Sequence, residues 1–549
     1  MNQKTLSIFC LMALGVSAFA GCATTPAQPT ATSQAAAKPT TAPTAAPSAT
    51  SAAKPTAAST AASGAANGAI SLDFPVNTYT EKTVTVTTTT GSSVVVYRAY
   101  EHIPYVSKPV DLNYQSMDVK VPVSINGKAI DATNAPILFI NNVGGYMSSS
   151  NASSGGMPAG GGMPGGVMSG TMPAGGAPPA GMMGAGGNSG ASPSDLGLAA
   201  GYVVVVPGAR GRDNKAADGT YYGKAPAAIV DLKAAVRYLR YNDKVMPGNA
   251  EMIISRGTSA GGALSALLGA SGNSPLYDAY LKEIGAADAP DNIYASADFC
   301  PITDLEHADM IYEWELGSLS PSGQTVDAAL SKELAAAYPA YLASLNLQGV
   351  NNFGALTADN YKDYLLKTYL MPSLTAYLNG LADDKRAAYL QANAWIKWEN
   401  KTASFSFADF LAHLANRKKN VPAFDALDLS AGENSLFGTK TTNARHFTAA
   451  VAQKTSTALD ADIANLLNLM NPMYFIAQNN AGMAKYWWIR QGTSDTDTGL
   501  PVLANLATSL QNKGKDVNAA LYWDAGHGAD QDPEAMIAWI GKITGYSAK

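Results

Sequence analysis

Met252-Ile253-Ile254-Ser255-Arg256-Gly257-Thr258-Ser259-Ala260-Gly261-Gly262-Ala263-Leu264 decides how this chain is read. Its opening apolar run has the length and uniformity of a strand buried on both faces. The Ala/Leu-rich stretch that follows, through Leu268, has helical composition. Between them Gly257 and Gly261 flank Ser259 in a Gly-x-Ser-x-Gly pattern. Between a strand and a helix, that pattern marks a tight, strained turn that lifts a serine hydroxyl out of the sheet edge. A chain with 51 glycines meets the bare pattern easily by chance, so its flanks carry the weight.

Working outward, residues 137–140 and 202–206 are similar apolar runs, each followed by a Gly-containing loop. Between the second run and the serine strand, Ile229, Leu232, Val236 and Leu239 recur at helical spacing. Asp231, Lys233, Arg237 and Arg240 fall on the other side, which predicts an amphipathic crossover helix with a solvent face. Strands at 486–489 and 519–523, with a helix at 503–510 between them, return to the same parallel sheet. Upstream, residues 83–87 and 94–97 around Gly91-Ser92, and residues 117–125 before Asn126-Gly127, read as antiparallel strands and hairpins. Residues 326–345, 361–378, 384–398 and 405–417 are helix-like and rich in Tyr and Leu, and predict a helical lid inserted over the sheet.

Lys plus Arg number 37 and Asp plus Glu 42, a formal charge of −5, which argues against a binder of polyanions. Only 14% of the chain is charged, against about 25% in ordinary domains, and two segments explain the deficit. Residues 23–69 are Ala, Thr, Pro and Ser with only Lys38 and Lys54 charged, the composition of a disordered spacer. Residues 148–194 are an uncharged Gly/Met/Pro-rich stretch, expected to be a flexible insertion. At the start, Lys4 precedes an apolar run over residues 6–20, shorter than the roughly 20 residues of a membrane-spanning helix, as in a signal peptide. It ends in Phe19-Ala20-Gly21-Cys22, which resembles a bacterial lipobox and makes Cys22 a lipidation candidate. The expected organisation is a signal over 1–21, a linker over 22–70, a first half of the catalytic domain over 71–300, a lid over 301–471 and a second half over 472–549. The expected location is extracellular, as a surface lipoprotein or a secreted protein. Of three cysteines, Cys10 leaves with the signal and Cys22 goes to lipid, so Cys300 has no disulfide partner. Between Phe299 and Pro301 it reads as a packing residue, and no Cys/His cluster has metal-ligand spacing.

A serine nucleophile needs a base, and the chain has five histidines. His527 lies just past the last strand in Asp524-Ala525-Gly526-His527-Gly528, where a loop can carry an imidazole over the sheet edge. His307, in Asp304-Leu305-Glu306-His307-Ala308-Asp309, is the competitor, more simply read as part of a carboxylate-rich helix start. The orienting acid belongs after the penultimate strand, where either Asp495 or Asp497 qualifies. The order Ser, Asp, His is that of α/β-hydrolases, so the expected fold is a mostly parallel sheet with flanking helices, N-terminal antiparallel hairpins and the lid. Oxyanion donors are expected from Gly144 and Gly145, in Asn141-Asn142-Val143-Gly144-Gly145-Tyr146, and from the Ala260 amide. With an unperturbed base, activity would fall as pH drops through roughly 6.5.

Gly257 to Leu264, Cys300-Pro301-Ile302-Thr303-Asp304-Leu305-Glu306-His307-Ala308-Asp309-Met310 and Ser494-Asp495-Thr496-Asp497 together resemble the subtype B bacterial tannases, with feruloyl-type esterases nearby. The resemblance spans most of residues 136–527. It implies Ser259 as nucleophile, His527 as base and Asp495 as orienting acid. It further implies that Asp497, Lys419 and Glu433 hydrogen-bond galloyl hydroxyls and that Ile302 forms an apolar wall against the ring. Without it, Arg417-Lys418-Lys419 reads as a basic helix C-terminus and Glu433 as part of a polar loop. The implied activity is hydrolysis of galloyl esters through an acyl-enzyme that releases gallic acid; the alternative is a feruloyl or general carboxylesterase with the same triad. No metal or organic cofactor is implied, no nucleic-acid partner, and membrane contact only through the N-terminal lipid.

Overall fold

The computed structural model describes residues 69–150, 191–321 and 325–548. The signal, Cys22, nearly all of the linker and most of the Gly/Met/Pro insertion lie outside the described residues. Residues 67–549 belong to one compact unit. Strand β1 (Thr80–Thr88) pairs antiparallel with β2 (Gly91–Pro104). The turn between them is Thr89-Thr90, two residues earlier than Gly91-Ser92 suggested. Next come β3 (Ser116–Ile125) and the short β4 (Lys128–Ala129), joined at Asn126-Gly127 with φ of 51° and 78°, the backbone that an Asn-Gly hairpin turn requires. The parallel strands are β5 (Pro136–Ile140), β6 (Val203–Pro207), β7 (Asn249–Thr258) and β8 (Ala295–Phe299). The insertion adds two small hairpins, β9 (Gln348–Gly349) with β10 (Gly354–Ala355) and β11 (Lys397–Glu399) with β12 (Thr402–Ser404). Then β13 (Tyr486–Gly492) and β14 (Asp516–Tyr522) complete the main sheet, whose order is β1-β2-β3-β6-β5-β7-β8-β13-β14.

Every residue of β5 and β6 is buried, as their unbroken apolar sequences require of strands covered on both faces. Strand β8 escaped the sequence reading because Ala-Ser-Ala-Asp-Phe is not an apolar run. It is wholly buried nonetheless: small residues let helices press close, and burial holds the Asp298 carboxyl well above the usual carboxylate range. This strand lies between β7, which carries the serine, and β13, which leads to the candidate acids.

Helix α1 (Pro193–Ala199), capped by Ser192, includes the last two residues assigned to the Gly/Met/Pro stretch. Helix α2 (Ala227–Tyr241) is the expected crossover, but it has no simple solvent face: Asp231 and Lys233 are fully buried. Loops cover the polar side, and each charge finds its complement there. Arg210 grips Asp231 through Nε and Nη2 at 2.8–3.2 Å. Lys233 donates to Asp291 and to the Ser271 carbonyl, both at 2.8 Å, while Arg237 takes the other Asp291 oxygen at 2.8 Å. Helix α3 (Ala260–Ala270) is buried along its whole length beneath the sheet's centre.

The insertion is helical as expected, with corrected boundaries. Ala328–Ser344 starts at an Asp327 cap, and Tyr361–Leu365 continues through a wide turn into Met371–Gly380. The helix expected over 384–398 stops at Ala392, and Trp398 sits in β11. The one expected over 405–417 is Phe407–Leu414, fixed at its start by a Ser406/Asp409 capping box. Arg417 therefore lies beyond the helix. It is buried and clamps Glu313 with two hydrogen bonds of 2.7 and 2.8 Å, an inward-facing charge pair where the sequence suggested a basic helix end. Tyr338, Tyr361, Tyr364 and Phe410 of the insertion share one hydrophobic core with Ile137, Phe139 and Leu264 of the sheet region.

Removing one member of a buried ion pair leaves the other charge without a partner, at about 3–5 kcal/mol. Asp291→Ala should therefore lower the unfolding free energy in urea by about that much, because the buried Lys233 loses its carboxylate and keeps only the Ser271 carbonyl, and Arg237 keeps only the exposed Asp278. A change below about 1 kcal/mol would mean that these charges are hydrated.

Candidate active site

Ser259 sits where β7 turns into α3, with φ 62° and ψ −123°. This left-handed backbone is costly for a residue with a side chain, by about 1–3 kcal/mol, and persists only where surroundings enforce it. Two features enforce it here. The Ser259 amide donates to the Phe299 carbonyl at the end of β8, at 2.9 Å. Gly257 lets the turn close on itself, since a Cβ there would lie 2.2 Å from the Gly261 carbonyl oxygen. The hydroxyl is thereby presented at the end of the sheet.

His527 follows β14 and reaches that hydroxyl: Nε2 is 2.8 Å from Ser259 Oγ. Its Nδ1 is 2.9 Å from Asp495 Oδ2 and 3.9 Å from Asp497 Oδ2, so the structure puts Asp495 in hydrogen-bond range and Asp497 beside it. Asp495 is itself fixed by the Asp497 amide at 2.9 Å. With Nδ1–H given to the carboxylate, Nε2 is free to accept the serine proton. Burial resists protonation of the ring, but the Asp495 carboxylate accepting at Nδ1 and the nearby Cys300 sulfur outweigh it and raise the imidazole from 6.5 to about 10. The unperturbed value expected from sequence is thus corrected upward.

Cys300 is buried, as expected of a packing residue, but its position is not incidental. Its Sγ lies within 4.8 Å of the facing His527 nitrogen and Asp495 oxygen and accepts the Gly528 amide at 3.2 Å. Among the described residues this is the one group of three His, Cys, Asp or Glu donors close enough to share an ion. Two of its members are already spent on the serine relay. The other histidines have different company. His307 pairs with Asp304 at 2.8 Å and stacks on Tyr341, His413 pairs with Asp524 at 2.7 Å, and His446 with Asp425 at 2.7 Å.

The Gly144–Met147 turn is closed by the Met147 amide on the Gly144 carbonyl at 2.9 Å, with Gly145 and Tyr146 at φ 55° and 56°. The next two carbonyls are captured by Arg212. Its Nε donates to Gly145 O at 2.7 Å and its amide to Tyr146 O at 2.8 Å. All three carbonyls are thus turned toward protein donors, leaving the Gly145 N–H without a partner among the described residues. The same loop is tied to α3, since Asn141 Nδ2 donates to the Gly261 carbonyl and to Ser265 Oγ. Ala260, in the first turn of α3, has an amide with no intrahelical partner. Sequence reading missed Arg212; only its place just past β6 could have marked it.

The four residues expected around a substrate ring lie on elements that converge on this site. Ile302 is two residues past Cys300, and its carbonyl accepts the Tyr146 hydroxyl at 3.2 Å. Asp497 receives Lys418 Nζ on both oxygens at 2.8 and 2.9 Å. Lys419 Nζ rests 3.6 Å from the centre of the Phe424 ring, and Phe424 is held by the Asp309 carboxylate on its amide. Glu433 is half-buried in the first turn of the helix Gly432–Leu436, next to Arg212 across Gly432; burial, then the Glu433 charge, raises the Tyr146 phenol. Carboxylates, an ammonium and an apolar wall can together bind a ring bearing hydroxyls.

The family model BD-FAE matches residues 197–340. A solved Fusobacterium nucleatum tannase is 38% identical, over 86% of this chain and 99% of that one, with a TM-score of 0.71. Native tannin acyl hydrolase from Lactobacillus plantarum is 32% identical over 86% and 99%, with a TM-score of 0.73. A tannin acyl hydrolase solved in complex with ethyl gallate gives the same identity, coverage and TM-score. Among curated proteins, none matches the chain.

If Arg212 orients the oxyanion loop without touching substrate, Arg212→Ala should cut kcat on an activated ester about tenfold with KM within about threefold, and Arg212→Lys should recover part of the loss. Stopped-flow or steady-state kinetics would read this. An unchanged kcat would detach Arg212 from the loop's function.

Proposed function

This chain belongs to the bacterial tannases, the tannin acyl hydrolases, and on that footing we propose that it hydrolyses galloyl esters of tannins and simple gallates by a serine mechanism, releasing gallic acid. The observation that carries the reading is the unbroken relay Ser259 Oγ, His527, Asp495, at 2.8 and 2.9 Å. His527 Nε2 takes the Ser259 proton as Oγ attacks the ester carbonyl. Negative charge then develops on the carbonyl oxygen, where the Gly145 and Ala260 amides stabilise it. The protonated His527, held by Asp495, returns the proton to the leaving alcohol, and the galloyl group remains on Ser259. Water, deprotonated by the same imidazole, attacks the acyl-enzyme and frees gallate.

The choice of acyl group rests on Asp497, Glu433 and Lys419. Three adjacent ring hydroxyls need acceptors and a cationic partner, and an analogue lacking them leaves these polar groups unsatisfied, a penalty that can reach about 10⁴-fold. The match of residues 197–340 to BD-FAE favours a hydroxycinnamoyl ester as the second reading. By its Phe19-Ala20-Gly21-Cys22 sequence the enzyme would be anchored outside the cell through lipid on Cys22, a modification that Cys22→Ser should abolish in a fatty-acid labelling experiment.

Gallate release from methyl gallate, followed by chromatography, tests the reading. Ser259→Ala should lose at least about 10⁴-fold of kcat. Lys419→Ala should weaken kcat/KM for methyl gallate by about 10–100-fold while sparing a short-chain nitrophenyl ester. Faster cleavage of methyl ferulate than of methyl gallate would move the assignment to the second reading. The base works only when neutral, and its pKa is raised, so activity is present above that value and lost as pH falls through it. The acidic limb of kcat/KM should therefore lie above pH 6.5; full activity at pH 5 would contradict this.

A further inference from the structure

Phe299, which ends β8, and Cys300, just beyond it, together touch all three chain segments that carry the triad. The Phe299 carbonyl accepts the Ser259 amide at 2.9 Å, behind the nucleophile. The Cys300 amide donates to the Arg490 carbonyl of β13 at 2.5 Å, on the strand that leads to Asp495. The Cys300 thiol accepts the Gly528 amide at 3.2 Å, next to His527. Cys300 takes up a left-handed backbone, φ 38°, to do so, a strain that packing alone does not call for, because any small apolar side chain would fill the same volume on a relaxed strand end.

We propose that Cys300 is a positioning residue for the hydrolytic reaction, whose thiol braces the His527 loop and stands beside the imidazole with Asp495, favouring the imidazolium that forms during attack. The proposal rests on the serine-esterase reading of the site. The groups facing His527 are Ser259 Oγ on Nε2, Asp495 on Nδ1, Asp497 at 3.9 Å with Lys418 on its far side, and the Cys300 sulfur within 4.8 Å. Asp495 supplies the full charge. Sulfur supplies a polarisable, weakly accepting neighbour, itself oriented by Gly528 N–H, that water would otherwise have to replace in a buried place. The raised pKa of the ring, to which both Asp495 and Cys300 contribute, agrees with this arrangement.

The test compares wild type, Cys300→Ala and Cys300→Ser. Two readouts are taken: the pH profile of kcat and KM on a nitrophenyl ester, and the NMR titration of the His527 ring, which needs no turnover. The alanine variant should move the acidic limb and the ring titration down by about one pH unit and lower kcat about tenfold, with KM within about twofold. The serine variant, whose hydroxyl can still accept the Gly528 amide, should fall between the two and keeps the test open if alanine does not fold. Coincidence of the ring titrations of folded variants with wild type would overturn the proposal. Failure of wild type to cleave any ester would instead overturn the esterase reading, and the ring titration would still decide the role of Cys300.

Discussion

The hydrogen bond from the Ser259 amide to the Phe299 carbonyl, with the glycine-permitted closure around Gly257, holds a serine in a backbone conformation it would not otherwise keep. The rest of the active site is arranged around that constraint. Because the serine cannot relax, its hydroxyl has a fixed place, and strands β7, β8, β13 and β14 bring the other groups to that place. Strand β8 sits between the serine strand and the acid strand, so Phe299 at its end and Cys300 just past it contact both and reach the histidine loop as well. A rigid parallel sheet thus positions residues that lie hundreds of positions apart in sequence to within hydrogen-bond length.

Charges inside the molecule serve the same end. Lys233, Asp291 and Arg237 lock α2 to the loop that precedes β8, and Arg210 locks Asp231 beneath the loop that carries Arg212. Arg417 and Glu313 fix the segment just before Lys418 and Lys419. Each pair would be a liability if half satisfied, and each has its complement. The insertion, which carries Lys419 and Glu433, shares one hydrophobic core with the sheet region whose strands lead to the triad.

Where the sequence spoke through apolar runs and turn chemistry, it was legible: the buried parallel strands, the Asn126-Gly127 hairpin and the elbow itself stand close to where periodicity put them. Strand β8 was invisible because its residues are small or polar, and only burial between two strands makes Ala-Ser-Ala-Asp-Phe a strand. The polar side of α2 looked like a solvent face because nothing local reveals that loops distant in sequence cover it. For the same reason Cys300 looked like simple packing and Arg212 drew no notice. Residue chemistry alone left Asp495 and Asp497 equivalent; resemblance favoured Asp495, and the distances to His527 are 2.9 Å and 3.9 Å. Lys419, Glu433 and Ile302 had no signal in spacing or periodicity and came only from the family pattern, because residues on three separate segments share no local signature.

In the proposed mechanism Ser259 carries the acyl group between the two halves of the reaction. Rapid acid quench after mixing the enzyme with methyl gallate, followed by peptide mass spectrometry, addresses it directly. A galloyl group is expected on the peptide containing Ser259, forming within the first turnover and decaying as substrate is exhausted. Gallate released at the same rate with that peptide unmodified throughout, under conditions where deacylation limits turnover, would contradict it.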